Sequence, residues 1–206
     1  MKKGLLIFGA VGLVFFLAVL ILILTLVGSY NRLVGLSQQV NSQWAQVQNV
    51  YQRRADLIPN LVQTVQGSAN FEKSTLQAVT DARASVGRVT IDASKAPSDA
   101  ATLQQFQAAQ GQLSSALSRL MVVSEAYPDL KSSQNFRDLQ AQLEGTENRI
   151  SVERGRFNDN VQAYDTSVHS FPTVLMASMF GFSDKPYFAA AEGASTAPTV
   201  NFNFNK

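Results

Sequence analysis

The charged residues whose spacing could support chemistry fall into two short clusters. Arg53, Arg54 and Asp56 form the first cluster, and Glu147 and Arg149 form the second. If the helices that carry them pack antiparallel, arginine–carboxylate pairs between the clusters would fix the register of the helices. Three interpretations are open for these residues: ion pairs between helices, solvated helix faces, and a ligand site.

Elsewhere, the sequence contains no recognised catalytic or metal-binding pattern. Its one histidine, His169, has no second ligand at a defined spacing, and HExxH, GxSxG and glycine-rich phosphate-loop motifs are absent. Glu144 and Glu147 lie one helical turn apart, but such acids are normally solvated. Because the sequence has no cysteine, disulfides, thiolate metal sites and cysteine nucleophiles are excluded. We therefore expect no enzymatic activity, no cofactor and no metal site.

The composition gives no electrostatic signal for nucleic acid. The 206 residues carry 17 basic and 15 acidic side chains in an interleaved order, for a net charge of +2. No extended field of one sign results, so we expect no nucleic-acid partner. The length suits one domain behind a membrane anchor.

A membrane anchor is predicted at Gly4 to Gly28, after a short basic N-terminus at residues 1–3. The run has no charge and one hydroxyl, that of Thr25, and about 20 apolar residues suffice to cross a bilayer. Two lysines precede it, whereas the segment just after it offers Arg32, so the positive-inside rule predicts a cytoplasmic N-terminus and a body outside the cytoplasm. A cleaved signal peptide is the other interpretation, but the run is long and its exit lacks a good cleavage site.

Behind the anchor, apolar residues recur at steps of three and four, which is the pattern of one helix face. The first stripe consists of Leu33, Leu36, Val40, Trp44, Val47, Tyr51, Ala55, Ile58, Val62 and Val65. Further stripes extend over residues 76–89, 103–124 and 136–171. They are narrow, as in a coiled coil, and are buried by packing stripe against stripe. We therefore expect an all-α fold, in which an N-terminal transmembrane helix continues into an elongated antiparallel bundle of three to four long helices.

The bundle is predicted over residues 29–171, with interruptions where residues disfavour helix. Pro59 removes a backbone donor and predicts a bend. The pattern is lost in a loop at about 90–99, where Ser98 is the expected N-cap of the next helix. A second break is predicted at about 127–132, around a proline.

Residues 172–188 form an apolar amphipathic C-terminal segment that is too short to span a bilayer. Two interpretations fit it: a helical lid that closes the end of the bundle, and a surface for the membrane interface or for an oligomer. The residues predicted for that surface are Leu175, Met176, Met179, Phe180 and Phe182. Residues 189–206 are predicted to be a flexible tail, whose strand-like end TVNFNF would add to a partner's sheet edge.

Several segments together resemble the LemA family of bacterial membrane proteins. They are YNRLVGLSQQVNSQWAQVQNVYQRRADLIPNLVQTV (30–65), EKSTLQAVTDARA (72–84), NFRDLQAQLEGTENRISVERGRFNDNVQAYDTSVHSFPTVLMASMFGF (135–182) and the Phe-bearing tail. RRADLIPNLV and TENRI are specific, whereas the anchor is generic. The resemblance implies a single N-terminal transmembrane helix followed by a long helical bundle. The glutamine-rich VNSQWAQVQNVYQ departs from the more charged version common in relatives, so no partner surface is carried over there.

The resemblance also implies a class of function. No enzymatic activity is established for the family as a whole; some relatives act in magnetosome formation, and others lie near genes for membrane metalloproteases or TPM-domain proteins. We therefore expect a non-enzymatic scaffold in the bacterial inner membrane that self-associates and organises or remodels the membrane or presents an interaction surface. The alternative is an adaptor for a membrane protease, a TPM-domain protein or another membrane partner. The expected partners include the bilayer, through Gly4 to Gly28, and further copies of the chain.

Overall fold

The computed structural model describes residues 2–67, 71–89, 92 and 94–189, with side chains from residue 10 onward. The helices are α1 (Lys2–Gln66), α2 (Lys73–Arg88), α3 (Ala100–Ser124), α4 (Pro128–Ser132), α5 (Gln134–His169) and α6 (Thr173–Phe180). Within this described part there are six helices and no strand, so the predicted all-α fold is confirmed. The segment TVNFNF, predicted to be strand-like, lies outside the described residues.

The predicted span and the first bundle helix are one helix, α1. It has 65 residues, which corresponds to about 100 Å at the standard helical rise. None of its side chains from Ala10 to Arg32 is buried, and Leu33 is the first that is fully covered. The Thr25 and Ser29 hydroxyls donate to backbone carbonyls three and four residues earlier, at 2.7 and 2.8 Å. These polar groups are therefore satisfied within the helix, as a lipid environment requires.

The buried face of α1 follows a seven-residue repeat. One row consists of Leu33, Val40, Val47, Arg54 and Leu61, and the other of Trp44, Tyr51, Ile58 and Val65. Leu36, Ala55 and Val62, which the sequence stripe also contains, lie at the edge of this face and are half-buried, and Leu36 and Val62 pack against the core clusters. The flanking rows fix the helix phase, so Arg54 points inward although it is charged.

At Pro59, α1 continues without ending. A proline removes the donor that would bond the carbonyl four residues earlier, here that of Ala55. Arg83 of α2 supplies the missing donor, because its Nε lies 3.1 Å from the Ala55 carbonyl oxygen. The neighbouring helix therefore satisfies the backbone group that Pro59 leaves open, and α1 extends to Gln66.

Successive long helices alternate in direction. α1 and α3 run away from the span, and α2 and α5 run back toward it. α5 packs along α1, with Gln43 bonded to Glu153 at 2.6 Å and Arg54 bonded to Glu147 at 2.8 Å, while α2 packs on α3. This is the elongated antiparallel bundle that the stripes predict, and the 36-residue α5 is the longest helix after α1 in the described part of the chain.

The core consists of two clusters of different character. The cluster nearer the span is aromatic and includes Trp44, Tyr51, Phe106, Phe157, Tyr164 and Phe188. The far cluster is mainly aliphatic and includes Ile58, Leu61, Leu113, Leu120 and Leu143. The Trp44 ring meets the Phe106 and Phe157 rings edge-on, at centroid distances of 5.3 and 5.7 Å.

The connections are held by local hydrogen bonds. Asp99, not Ser98, is the N-cap of α3: its Oδ1 accepts the Thr102 amide at 2.7 Å. This hydrogen bond, with a second one from the Thr102 hydroxyl, lowers the pKa of the Asp99 carboxyl. The preceding loop is fixed to α1, since the Ala96 amide donates to the Asn41 side chain at 3.1 Å. The short helix α4 lies within the predicted break at 127–132.

Candidate functional site

Among the residues that the structure describes, Arg54 is the one charged side chain that is buried, at 2% exposure. Its Nη1 lies 2.8 Å from Glu147 Oε2 on α5 and 2.8 Å from Ser114 Oγ on α3. Its Nη2 donates to the Gln110 carbonyl at 3.3 Å and also to the Gln110 side-chain oxygen. The guanidinium carbon lies 5.2 Å from the centroid of the Tyr51 ring. One side chain therefore joins three helices.

We call Arg54, Gln110, Ser114 and Glu147 the Arg54 layer. It lies between the aromatic and the aliphatic core clusters. Burying a charge is costly unless the charge is paired and hydrogen-bonded, and the planar guanidinium fork suits several acceptors at once. The Glu147 side chain is 55% exposed, so water reaches the carboxylate. The hydrogen bonds of the layer therefore favour one register of α1 against α3 and α5.

The other residues of the two predicted charge clusters do not enter this layer. Asp56 accepts a hydrogen bond from Gln52 one turn earlier on α1, at 2.7 Å. Arg53 and Arg149 lie on the exposed surfaces of their helices. The structure thus brings Arg54 and Glu147 together and leaves the remaining three on solvated faces. The seven-residue spacing of α1 is the sequence signal that separates Arg54 from its neighbour Arg53.

The other titratable residues considered in the sequence, His169 and Glu144, each pair with one neighbouring side chain. His169 Nε2 lies 2.8 Å from Asp184 Oδ1, and both side chains are exposed. Glu144 accepts a hydrogen bond from Gln140 on its own helix at 3.0 Å. Across the residues that the structure describes, no group of three histidine, cysteine or acidic side chains could hold a metal ion.

The second unusual region is α6, which exposes apolar side chains. Its inner face, with Thr173, Met176 and Ala177, is buried, and the helix packs on α1 and α5. We give the name α6 apolar surface to the outer face of α6 together with Phe171, which precedes the helix; its residues are Phe171, Val174, Leu175, Met179 and Phe180, of which Phe171 is 82% exposed and Met179 is 76% exposed.

This arrangement divides the residues predicted for an interaction surface. Leu175, Met179 and Phe180 are exposed, whereas Met176 is buried and Phe182 is half-buried against the aromatic cluster. Phe171 is exposed although it extends the α5 stripe in the sequence. The reason is that α5 ends at His169, so the helical phase is not maintained to Phe171.

The α6 apolar surface adjoins the end of the predicted span. The Tyr30 ring, two residues beyond Gly28, lies edge-on to the Phe180 ring at a centroid distance of 5.0 Å and to the Phe182 ring at 5.8 Å. α6 therefore lies beside the point where α1 passes from its uncovered apolar part into the bundle.

The segment that follows α6, which has no regular secondary structure and which we call the strap (182–189), holds α6 in this position. Asn158 of α5 pairs with the backbone of Phe188 twice: its Oδ1 accepts the amide at 2.9 Å, and its Nδ2 donates to the carbonyl at 3.0 Å. The Lys185 amide donates to Asp165 at 3.1 Å, and the Phe188 ring is buried against Trp44. Burial is the main cause that raises the pKa of the Asp165 carboxyl. Sequence reasoning missed these residues, because side chains that bond the backbone of an irregular segment produce no periodic pattern.

Comparison with known proteins places this architecture in a family. The family model for the LemA family matches residues 43–202. Magnetosome protein MamQ of Magnetospirillum gryphiswaldense is 26% identical over 191 residues, which cover 84% of this chain and 69% of that protein. Magnetosome protein MamQ 2 of Paramagnetospirillum magneticum is 26% identical over 199 residues, covering 87% and 72%. Protein LemA of Metamycoplasma hominis is 22% identical over 180 residues, covering 87% and 78%.

The matched range contains both the Arg54 layer and the α6 apolar surface, and it extends over most of the chain. The uncovered N-terminal part of α1 is long and apolar enough to cross a membrane. Together these findings fit a membrane-associated helical protein, and the resemblance noted in the sequence is confirmed. The chain belongs to the LemA family.

Proposed function

We propose that this chain is a non-enzymatic scaffold of the bacterial inner membrane, which holds a helical bundle at the membrane surface as a platform for further copies and other proteins. The observation that supports it is the continuity of α1: one helix supplies the span and then packs along α5. A bundle built on the spanning helix cannot swivel as it would on a flexible linker, and the Arg54 layer joins α3 and α5 to the same helix.

Self-association is the part of this proposal that a solution measurement tests directly. Two of the relatives are named magnetosome proteins, and this name motivates the proposed role in organising membranes. In detergent, the full chain should show by light scattering a protein mass of several copies, decreasing on dilution. A monomer mass across a wide concentration range would contradict self-association, but it would not contradict the predicted membrane anchor.

The proposed orientation puts the N-terminus in the cytoplasm and the bundle outside it, because two lysines precede the span. Since the sequence has no cysteine, a single Val122→Cys substitution gives a specific label on an exposed site at the far end of the bundle. A membrane-impermeant maleimide should label it in spheroplasts. Labelling only after the membranes are permeabilised would contradict this orientation and place the bundle in the cytoplasm.

A second candidate is an adaptor that binds a membrane protease or a TPM-domain protein. It is motivated by the alternating sequence TVNFNF, which suits addition to a partner's sheet edge. Deleting Thr199 to Lys206 should then abolish co-purification of the partner from native membranes, while the emission of Trp44, the one tryptophan, stays that of the folded bundle. Unchanged co-purification would reject this mode of binding.

A further inference from the structure

Exposed apolar side chains of the bundle are concentrated on α6. Beyond the span and Tyr30, the large exposed apolar residues in the described part of the chain are Val122, Val152, Tyr187 and the five residues of the α6 apolar surface. The first three are isolated from one another in sequence, and scattered single residues of this kind are normal. By contrast, no charged residue occurs from Phe171 to Phe182. The α6 apolar surface is therefore a distinct patch.

The fold holds this patch outward. Gly181 has a φ of 73°, in the left-handed region that favours glycine. The Phe182 amide then donates to the Ala177 carbonyl at 3.0 Å, which closes the helix and turns the chain back toward the bundle. Phe182 and the strap return to the aromatic cluster, whereas Met179 and Phe180 stay outside.

We propose that the α6 apolar surface lies in the bilayer interface and forms a second membrane contact beside the α1 span. Its continuity with the span supports this occupant, since the Tyr30 ring touches Phe180 two residues after the apolar run ends. Tyrosine is enriched at this level of a membrane protein. The strength of binding at the boundary between headgroups and acyl chains increases with the apolar area buried there, and the α6 apolar surface offers such area without a charge that would have to lose its water.

The size of the patch favours lipid over a second copy of the chain. A stable protein interface involves about 20–30 residues on each side, whereas five side chains form this surface. Lipid contact has no such minimum, because it extends an apolar surface that the span already presents.

A second contact changes what the anchor does. With α1 as the one contact, the whole molecule, span and bundle together, is free to rotate about the α1 axis and to tilt in the bilayer. With α6 in the interface, the side of the bundle that carries α6 is held at the membrane surface. An interfacial helix also occupies area in one leaflet and responds to curvature. The inference rests on the membrane span of the proposed function and is independent of self-association.

The test uses the full chain in vesicles of phosphatidylcholine and phosphatidylglycerol. An environment-sensitive fluorophore is attached through a single Met179→Cys substitution, and the matched control is Val122→Cys, an exposed apolar site at the far end of the bundle. Lipids brominated on the acyl chain should quench the Met179 probe and leave the Val122 probe unchanged. The Met179 probe should also be protected from aqueous iodide.

Other outcomes overturn the contact in distinguishable ways. If the chains float with the vesicles and the two probes show equal quenching by lipid and by iodide, the α6 apolar surface is exposed to water. A Met179 probe that lipid does not quench, and that loses its protection at low protein-to-lipid ratio, is covered by a second copy. Protection that disappears when residues 190–206 are deleted comes from the tail. A chain that does not float with vesicles contradicts the span itself, and with it this contact.

Discussion

The Arg54 layer and the α6 apolar surface depart in two different ways from the usual distribution, in which charged side chains are exposed and apolar side chains are buried. The layer buries a charge in the middle of the bundle, and α6 exposes apolar side chains at its membrane end. The buried guanidinium has its partners inside the protein, on α3 and α5. The exposed face of α6 instead lies beside a span that lipid would surround. The comparison shows that the hydropathy of a residue does not by itself predict whether the residue is buried. The partners that the fold places beside it must be known as well.

The two regions should also respond differently to substitution. Changes in the Arg54 layer should lower the stability of the bundle, whereas changes on the α6 apolar surface should leave it nearly unchanged in detergent. Trp44 is the one tryptophan and is fully buried in the aromatic cluster. Its fluorescence therefore reports unfolding of the bundle without a contribution from the apolar run.

The largest effect is expected for Arg54→Ala. The substitution removes the donors to Gln110 and Ser114, and an unsatisfied buried polar group costs about 1–3 kcal/mol. We expect the free energy of unfolding to fall by about 2–4 kcal/mol, measured by denaturant titration of the full chain in detergent with Trp44 emission. The control is Arg53→Ala, which removes an exposed arginine one residue away. Equal losses for both variants would remove the Arg54 layer as a stabilising element.

A smaller effect is expected for Asn158→Ala, which weakens the contact between α5 and the strap that follows α6. This change removes both hydrogen bonds to the Phe188 backbone, and we expect a loss of about 1–2 kcal/mol in the same titration. Native Trp44 emission should shift as well, because the Phe188 ring stacks on Trp44 at 6.1 Å. Asn160→Ala is the control, since Asn160 bonds to a carbonyl of its own helix. A strap that is irrelevant to packing would give the two variants the same native emission.

Replacing Glu147 with Gln should cost less again. The carboxylate is half-exposed, solvent screens its charge, and the amide oxygen still accepts from Arg54, so we expect a loss below about 1 kcal/mol. Increasing salt should reduce the difference from the parent chain. A loss as large as that of Arg54→Ala would mean that the ion pair, rather than the complete set of acceptors, stabilises the layer.

Much of this architecture follows from periodicity in the sequence. Steps of three and four predict the long helices, and the seven-residue rows of α1 place Arg54 inside. The exact cap of α3 does not follow, because Ser98 and Asp99 are both good N-caps and the loop held by Asn41 decides between them. The continuity of α1 through Pro59 also depends on a distant residue, Arg83. These features arise from contacts between elements, which a local pattern does not encode.

The smallest effect is expected for Met179→Ser on the α6 apolar surface, and Met176, three residues earlier on the buried inner face of α6, provides the matched comparison. Met176 is 8% exposed and faces the bundle, whereas Met179 faces outward. Met176→Ser should cost about 2 kcal/mol or more, because a buried side chain is truncated. Met179→Ser should change the free energy of unfolding in detergent by less than about 0.5 kcal/mol, as is usual for surface positions.

The comparison of these two variants separates the two interpretations of α6 as a lid and as an interfacial surface. A lid that needs its outer face would lose stability in both variants. A helix that uses its inner face to pack and its outer face to contact lipid would lose stability only with Met176→Ser. Equal and large losses would therefore show that Met179 is covered by protein in solution, and would make α6 part of the bundle core rather than the counterpart of the Arg54 layer.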